Sequence, residues 1–417
     1  MNADIYFKLF SIMDVKDVLR LSSTCTEIRI LQDDQSITGN YLWKMLLVRD
    51  FSLSVEDSNF HKYLDTVKSS KRLSLKGEGK GEGEGEDNAK GKYKKAFCAT
   101  RLRSFMEGYD IKYDTKSFRL NASNQKIEIF PKEVCYFYDN LKVLNLEHNS
   151  LTFLPKEIGC CVNLRELRLN NNKLSCAFPI EIKSCVNLMI LLLSSNSITD
   201  GDFLKDVLLC PNLKHINLDD NHLQSLPEEI GECQNLEYLC LNSNKITSLP
   251  ESIGNCSNLL SLHVDYNKLT SLPESIGKCS NIRNLHLQDN ELTSLPDSIG
   301  NCPDLMSLYL NNNKLTYLPD SIDNCSNLLS FHVENNKLTY LPESIGSCSN
   351  LVVLCVKNNK ISSLPRSIGK CVELLTFNVD NSSILYSFHS LLFYNAPVLF
   401  SILLTKIFDL LTYYTTK

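Results

Sequence analysis

Three of the eight histidines in this 417-residue chain, His263, His286 and His332, share one register with Tyr309, each 23 residues from the next. Imidazoles brought together can ligate a metal, pass a proton or receive a visiting side chain. Rings and carboxylates accompany them: Tyr238, Asp265, Tyr266, Asp289 and Glu334. His263, His286 and Asp265 form the sharpest metal combination, since neighbouring strands would bring the two imidazoles within about 5 Å. Stacked surface histidines are more often unligated, so the expectation is no metal and no cofactor. Rings flanked by carboxylates suit a protein-binding hot spot, the bland alternative being a solvated strand face.

No other residue pattern points to catalysis. Nucleophile elbow, HExxH, Walker and kinase motifs are all absent, as are CxxC and Cys/His zinc spacings. The glycines of residues 77–92, GEGKGEGEGEDNAKGK, do not make a phosphate loop. Five acidic residues lie among them, and Tyr93 stands where Ser or Thr would follow Gly91-Lys92. With 43 basic and 48 acidic side chains the net charge is -5, a poor balance for binding nucleic acid. The chain is therefore expected not to be an enzyme.

The elements that would position the histidines come from an internal repeat. The pattern L-x-x-L-x-L-x-x-N-x-L-x-x-L-P-x-x-I-x-x-C-x-N begins at Leu141 and recurs at Leu164, Leu188, Leu213, Leu236, Leu259, Ile282, Leu305, Leu328, Leu351 and Leu374. A degenerate unit, 118–140, precedes them. In LxxLxL the fourth and sixth residues alternate with polar neighbours, which predicts a short strand with one buried face. Parallel strands from successive coils would stack about 4.8 Å apart. The recurrent Asn offers two donors and an acceptor for backbone groups that a turn leaves unpaired. The L-P step ends the ladder, and the Cys column reads as small buried thiols, with a zipper of disulfides as the alternative. Two one-sign rows, Lys after the Asn and Glu or Asp after the Pro, read as a soluble exterior.

This motif resembles the leucine-rich repeat family. The resemblance implies a curved parallel solenoid over 118–383 that binds proteins on its concave face. The fifth position of each unit, which holds His263, His286, Tyr309 and His332, faces outward there.

The front end has a different pattern. Ile5, Leu9, Phe10 and Met13 share a helical face, Asp14 stops or caps that helix, and VKDVLRLS follows. The string L-F-S-I-M-D-V-K-D-V-L-R-L-S-S-T-C, with L-W-K-M-L-L-V-R-D-F after it, looks like an F-box. It lacks the opening Leu-Pro and carries Ile28 where that family has Trp. The resemblance implies a three-helix module over 1–50 in which Ile5, Leu9, Phe10, Met13, Val18, Leu19 and Leu21 dock a Skp-type adaptor and, through it, a cullin. A helical cap on the first coil is the alternative. Residues 51–117 read as a helical linker containing the low-complexity insert 77–92, and 384–417 as a helical cap.

The expected fold class is thus α/β, a leucine-rich repeat solenoid behind an F-box-like module. The N-terminal apolar run is broken by Lys8 and stopped by Asp14, which does not read as a secretory signal. The seventeen cysteines are then expected to be reduced, in a cytoplasmic or nuclear protein. Residues 384–405 are apolar enough to raise membrane association as the alternative to a cap. The resemblances together imply a substrate-recognition subunit of an SCF-type cullin ubiquitin ligase. The NKLTSLPESIG units are also similar to those of Ras-regulating leucine-rich proteins, which implies a scaffold for a Ras-like GTPase or another protein instead.

Overall fold

The computed structural model describes residues 108–380, apart from 110, 115, 133, 135–139 and 176–177. The F-box-like segment, with Ile5, Leu9, Phe10, Met13, Val18, Leu19 and Leu21, lies outside the described residues. So do the insert 77–92 and the segment 384–417.

Thirteen three-residue strands form one sheet in sequence order, β1 (Lys112–Asp114), β2 (Arg119–Asn121) and so on to β13 (Thr376–Asn378). Every pair from β2 onward is parallel. From β2 onward the central residue of every strand is buried, as the alternation predicts, Leu262, Leu285, Leu308 and Phe331 among them. The degenerate unit does contribute a coil, through β2 against β3 (Val143–Asn145).

β1 corrects the reading of 51–117 as helical to its end. Lys112–Asp114 pairs antiparallel with β2, Tyr113 opposite Leu120. Asp114 Oδ1 accepts the Lys116 amide at 2.9 Å, which turns the chain back. The hairpin covers backbone groups that a first parallel strand would leave open at the sheet edge.

The convex side also departs from a plain α/β arrangement. Among the described residues it holds ten 3₁₀ turns, from Lys156–Cys160 to Arg366–Lys370, and one four-residue α turn, α1 (Lys205–Leu208), which continues the 3₁₀ turn Gly201–Leu204. A 23-residue coil leaves no length for a long helix. In most coils Pro sets the entry, with Pro273 at φ -68 and ψ 147, and six residues later Cys closes the turn. Gly277 lets the next coil approach: a Cβ there would sit 2.4 Å from the Ser298 carbonyl oxygen.

Two polar columns tie coil to coil. Asn290 Oδ1 accepts the Leu269 amide at 2.9 Å, while its Nδ2 donates to the Val264 and Leu287 carbonyls at 2.8 and 3.1 Å. The equivalent Asn in each neighbouring coil repeats this, so the turn's backbone groups are paired inside the protein. The described cysteines are thiols, not disulfides. Cys279 Sγ donates to the Ile253 carbonyl of the preceding coil at 3.3 Å, and burial pushes its pKa up to about 12.

The acidic row after the Pro has a structural task. Glu251 accepts the Ser275 amide of the next coil, and Glu343 accepts those of Arg366 and Ser367, at 3.2, 3.1 and 3.0 Å respectively. A carboxylate thereby caps the open N–H groups at the start of a neighbouring turn.

Candidate functional site

The site lies on β8 (Ser261–His263), β9 (Asn284–His286), β10 (Ser307–Tyr309), β11 (Ser330–His332) and β12 (Val353–Cys355). Pairing in register sets His263 opposite His286, His286 opposite Tyr309, Tyr309 opposite His332, and His332 opposite Cys355. Side chains one strand apart on one face must meet. The four rings form a continuous stack with centroid separations of 4.1, 4.5 and 4.6 Å. Each ring is half-buried by its neighbours and keeps one edge toward solvent.

Residues two places earlier on the same strand hold the terminal imidazoles. Ser261 Oγ lies 2.8 Å from His263 Nε2, and Ser330 Oγ lies 3.0 Å from His332 Nε2. Residues two places later supply carboxylates. Asp265 Oδ2 is 4.0 Å from His286 Nδ1, and Glu334 Oε1 is 3.6 Å from His332 Nδ1.

The electrostatics follow from burial. His286 is pushed down to about 4, by burial first and then by His263 beside it. Burial also lowers His263 and His215. Asp265, only 6% exposed, is pushed up to about 7 by burial, against the Gln288 amide that bonds its charged form. Burial raises Glu334 as well, but bonds from His332, its own amide and Cys355 outweigh it and hold it below the usual range. Burial thus shifts His263, Asp265 and His286 all toward their neutral forms.

The predicted residues divide accordingly. His263, His286, Tyr309 and His332 come together as a stack, with Asp265 and Glu334 beneath its edge. Asp265 is a correction: expected on the open face, it is buried between coils, where Asn242 Oδ1 takes its amide at 2.9 Å. Tyr238 stands in the neighbouring column, 5.8 Å from the His215 ring. Asp289 belongs to another row, accepting from Asn312 Nδ2 at 2.8 Å, and Asn335 and Asn358 continue that amide ladder. Tyr266 stands in the same column one coil earlier, 60% exposed and at φ 55. Asn, Asp and Ser fill most of this left-handed column, as their short polar side chains allow. A bulky tyrosine in that conformation is strained, and such strain gathers at functional sites. Sequence reasoning missed Ser261 and Ser330 as ring partners and left Cys355 out of the site. The period-two rule from each histidine would have found the serines.

The description "Leucine-rich repeat region" matches residues 180–279, and "Leucine rich repeat" matches 119–174 and 280–338. Among solved structures, a leucine-rich repeat protein of Leptospira interrogans is 32% identical at a TM-score of 0.55, over 63% of this chain and 71% of that one. The chain belongs to the leucine-rich repeat family.

Two other matches are complexes. The ectodomain of the Arabidopsis thaliana receptor kinase GASSHO1/SCHENGEN3, bound to CASPARIAN STRIP INTEGRITY FACTOR 2, is 31% identical with a TM-score of 0.52, over 60% of this chain and 34% of that one. The Drosophila Toll–Spatzle complex is 26% identical with a TM-score of 0.56, over 62% and 35%. The chain thus spans about a third of those two. No curated protein matches it. A leucine-rich repeat solenoid of this kind is a protein-binding scaffold with an extended concave face. Among the described residues no helix is long and apolar enough to cross a membrane.

Proposed function

We propose that this leucine-rich repeat protein is the target-recognition subunit of an SCF-type cullin ubiquitin ligase. The stack His263–His286–Tyr309–His332, with Tyr266 at its side, holds a segment of the target protein. The F-box-like segment, through Ile5, Leu9, Phe10, Met13, Val18, Leu19 and Leu21, docks a Skp-type adaptor and hence a cullin. The chain itself carries out no reaction. It raises the effective concentration of target lysines near a ubiquitin-charged enzyme. A cytoplasmic or nuclear location belongs to the same proposal.

The observation that supports target binding is the ring stack, preorganised by strand register and by Ser261 and Ser330. Rings fixed before binding lose little entropy when a partner covers them. The support for the ligase role is the F-box-like string in residues 9–25. The test is co-expression of the full chain with a Skp-type adaptor. Co-elution, lost when Leu9 and Phe10 are changed to Ser, is the expected result. No complex at micromolar concentrations would overturn the ligase role. Target capture retained in that case would favour the second reading, a scaffold for a Ras-like GTPase or another protein, which the repeat units' own resemblance supports.

A further inference from the structure

His332, Glu334 and Cys355 offer one nitrogen, one carboxylate oxygen and one sulfur, all within 4.8 Å of one another. The topology puts them there. Glu334 follows His332 by two residues and so takes the same face, and Cys355 stands directly opposite His332 on β12. Ser330 Oγ engages His332 Nε2, which leaves Nδ1 to point at Glu334, 3.6 Å away. Metal-bound histidines characteristically have their second ring nitrogen held in this way. His332, Cys355 and its own amide engage the Glu334 carboxylate, yet Oε2 is buried and has no hydrogen-bond partner. A buried carboxylate oxygen left unpaired is costly unless a donor or a cation meets it.

We propose that His332 Nδ1, the Glu334 carboxylate and Cys355 Sγ bind a zinc ion at the edge of the concave stack. Zinc takes imidazole, carboxylate and thiolate together in tetrahedral geometry, whereas magnesium and calcium take oxygen ligands. Tetrahedral zinc holds its ligand atoms about 3.5 Å apart, the separation already found between His332 Nδ1 and Glu334 Oε1, at 3.6 Å. Binding displaces the Cys355 thiol proton to solvent. Three protein ligands leave a fourth position open toward the groove, for water or a side chain of the bound target.

The related set His263, Asp265 and His286 also clusters within 4.8 Å but is poorly built for an ion. Its two imidazoles lie flat on each other, 14° between planes, so their in-plane lone pairs run side by side and do not converge.

Cobalt(II) is the probe, because its thiolate complexes absorb by sulfur-to-metal charge transfer. Titration of the reduced full chain should give this band, saturating at one equivalent, and zinc should abolish it. Cys355→Ser should remove the band. Glu334→Gln should weaken binding on the order of 10–100-fold. Cys240→Ser, on the same face without this ligand set, should leave the band unchanged. A thermal midpoint that zinc raises in the wild type and not in Glu334→Gln is a second readout, should Cys355→Ser fail to fold. No charge-transfer band in the wild type, or an equal band in Cys355→Ser, overturns the site.

Discussion

The His263 and His286 rings stack 4.1 Å apart, and Asp265 sits beneath with its carboxylate 4.0 Å from His286 Nδ1. The contact is too long for a tight ion pair, and both partners are shifted toward their neutral forms. Asp265 holds its proton up to about pH 7 in the fold, against an ordinary value of 3.8. Its stabilising contribution is complete below the ordinary value and is lost as pH rises through about 7. His286 runs the other way. Its folded value near 4 lies below the ordinary 6.5, so stability is lost as pH falls from 6.5 toward 4. The groups facing this pair are His263, Asp219, Asp289 and Tyr309.

Asp265→Asn should therefore stabilise the protein on the alkaline side, by on the order of 2–4 kcal/mol at about pH 8 and by little at about pH 4. Asn already fills the equivalent place at Asn242 and Asn311. Denaturant unfolding at the two pH values checks this. Equal changes at both would mean that Asp265 is ionised in the fold at neutral pH.

Tyr266 holds a left-handed conformation that costs an ordinary residue about 1–2 kcal/mol. Tyr266→Asn should raise stability by about 1 kcal/mol and weaken target binding. His148, at the same kind of position in an earlier coil and also at φ 55, is the control. His148→Asn should stabilise without touching target capture. A Tyr266→Asn protein that binds as well as the wild type would leave the tyrosine without a function.

Asn290 pairs with four backbone groups, one by its oxygen and three by its amide nitrogen. Asn290→Leu leaves them unpaired in the interior and should destabilise by on the order of 1–3 kcal/mol. An unchanged thermal midpoint would contradict the ladder's role.

Ser298 Oγ is buried with no hydrogen-bond partner, packed against Gly277 of the preceding coil. The hydroxyl has lost water and gained no bond, so Ser298→Ala should raise stability by about 1 kcal/mol. A loss of stability would show that the hydroxyl has a partner, such as a bound water.

Much of this was legible in the sequence because one short unit repeats. Strand register, the inward Leu columns, the buried Asn and Cys columns and the row His263–His286–Tyr309–His332 all follow from a fixed spacing and a period of two. Features set by reach across coils were not legible. The burial of Asp265, the capping of Ser275 by Glu251 and the meeting of Cys355 with Glu334 depend on rotamers and inter-coil distances. β1 was missed because a three-residue strand has no periodicity to read, and its stabilisation comes from the exposed edge it covers.

The claim that most rests on is that the ring stack is the recognition surface. The direct measurement is quantitative capture by the full chain, wild type against a His286→Ala, Tyr309→Ala double variant with an equal thermal midpoint, read by mass spectrometry. At least one protein should bind the wild type and fall about tenfold or more with the variant, as loss of central aromatic anchors entails. Identical capture by both would contradict the assignment of the concave stack as the binding site.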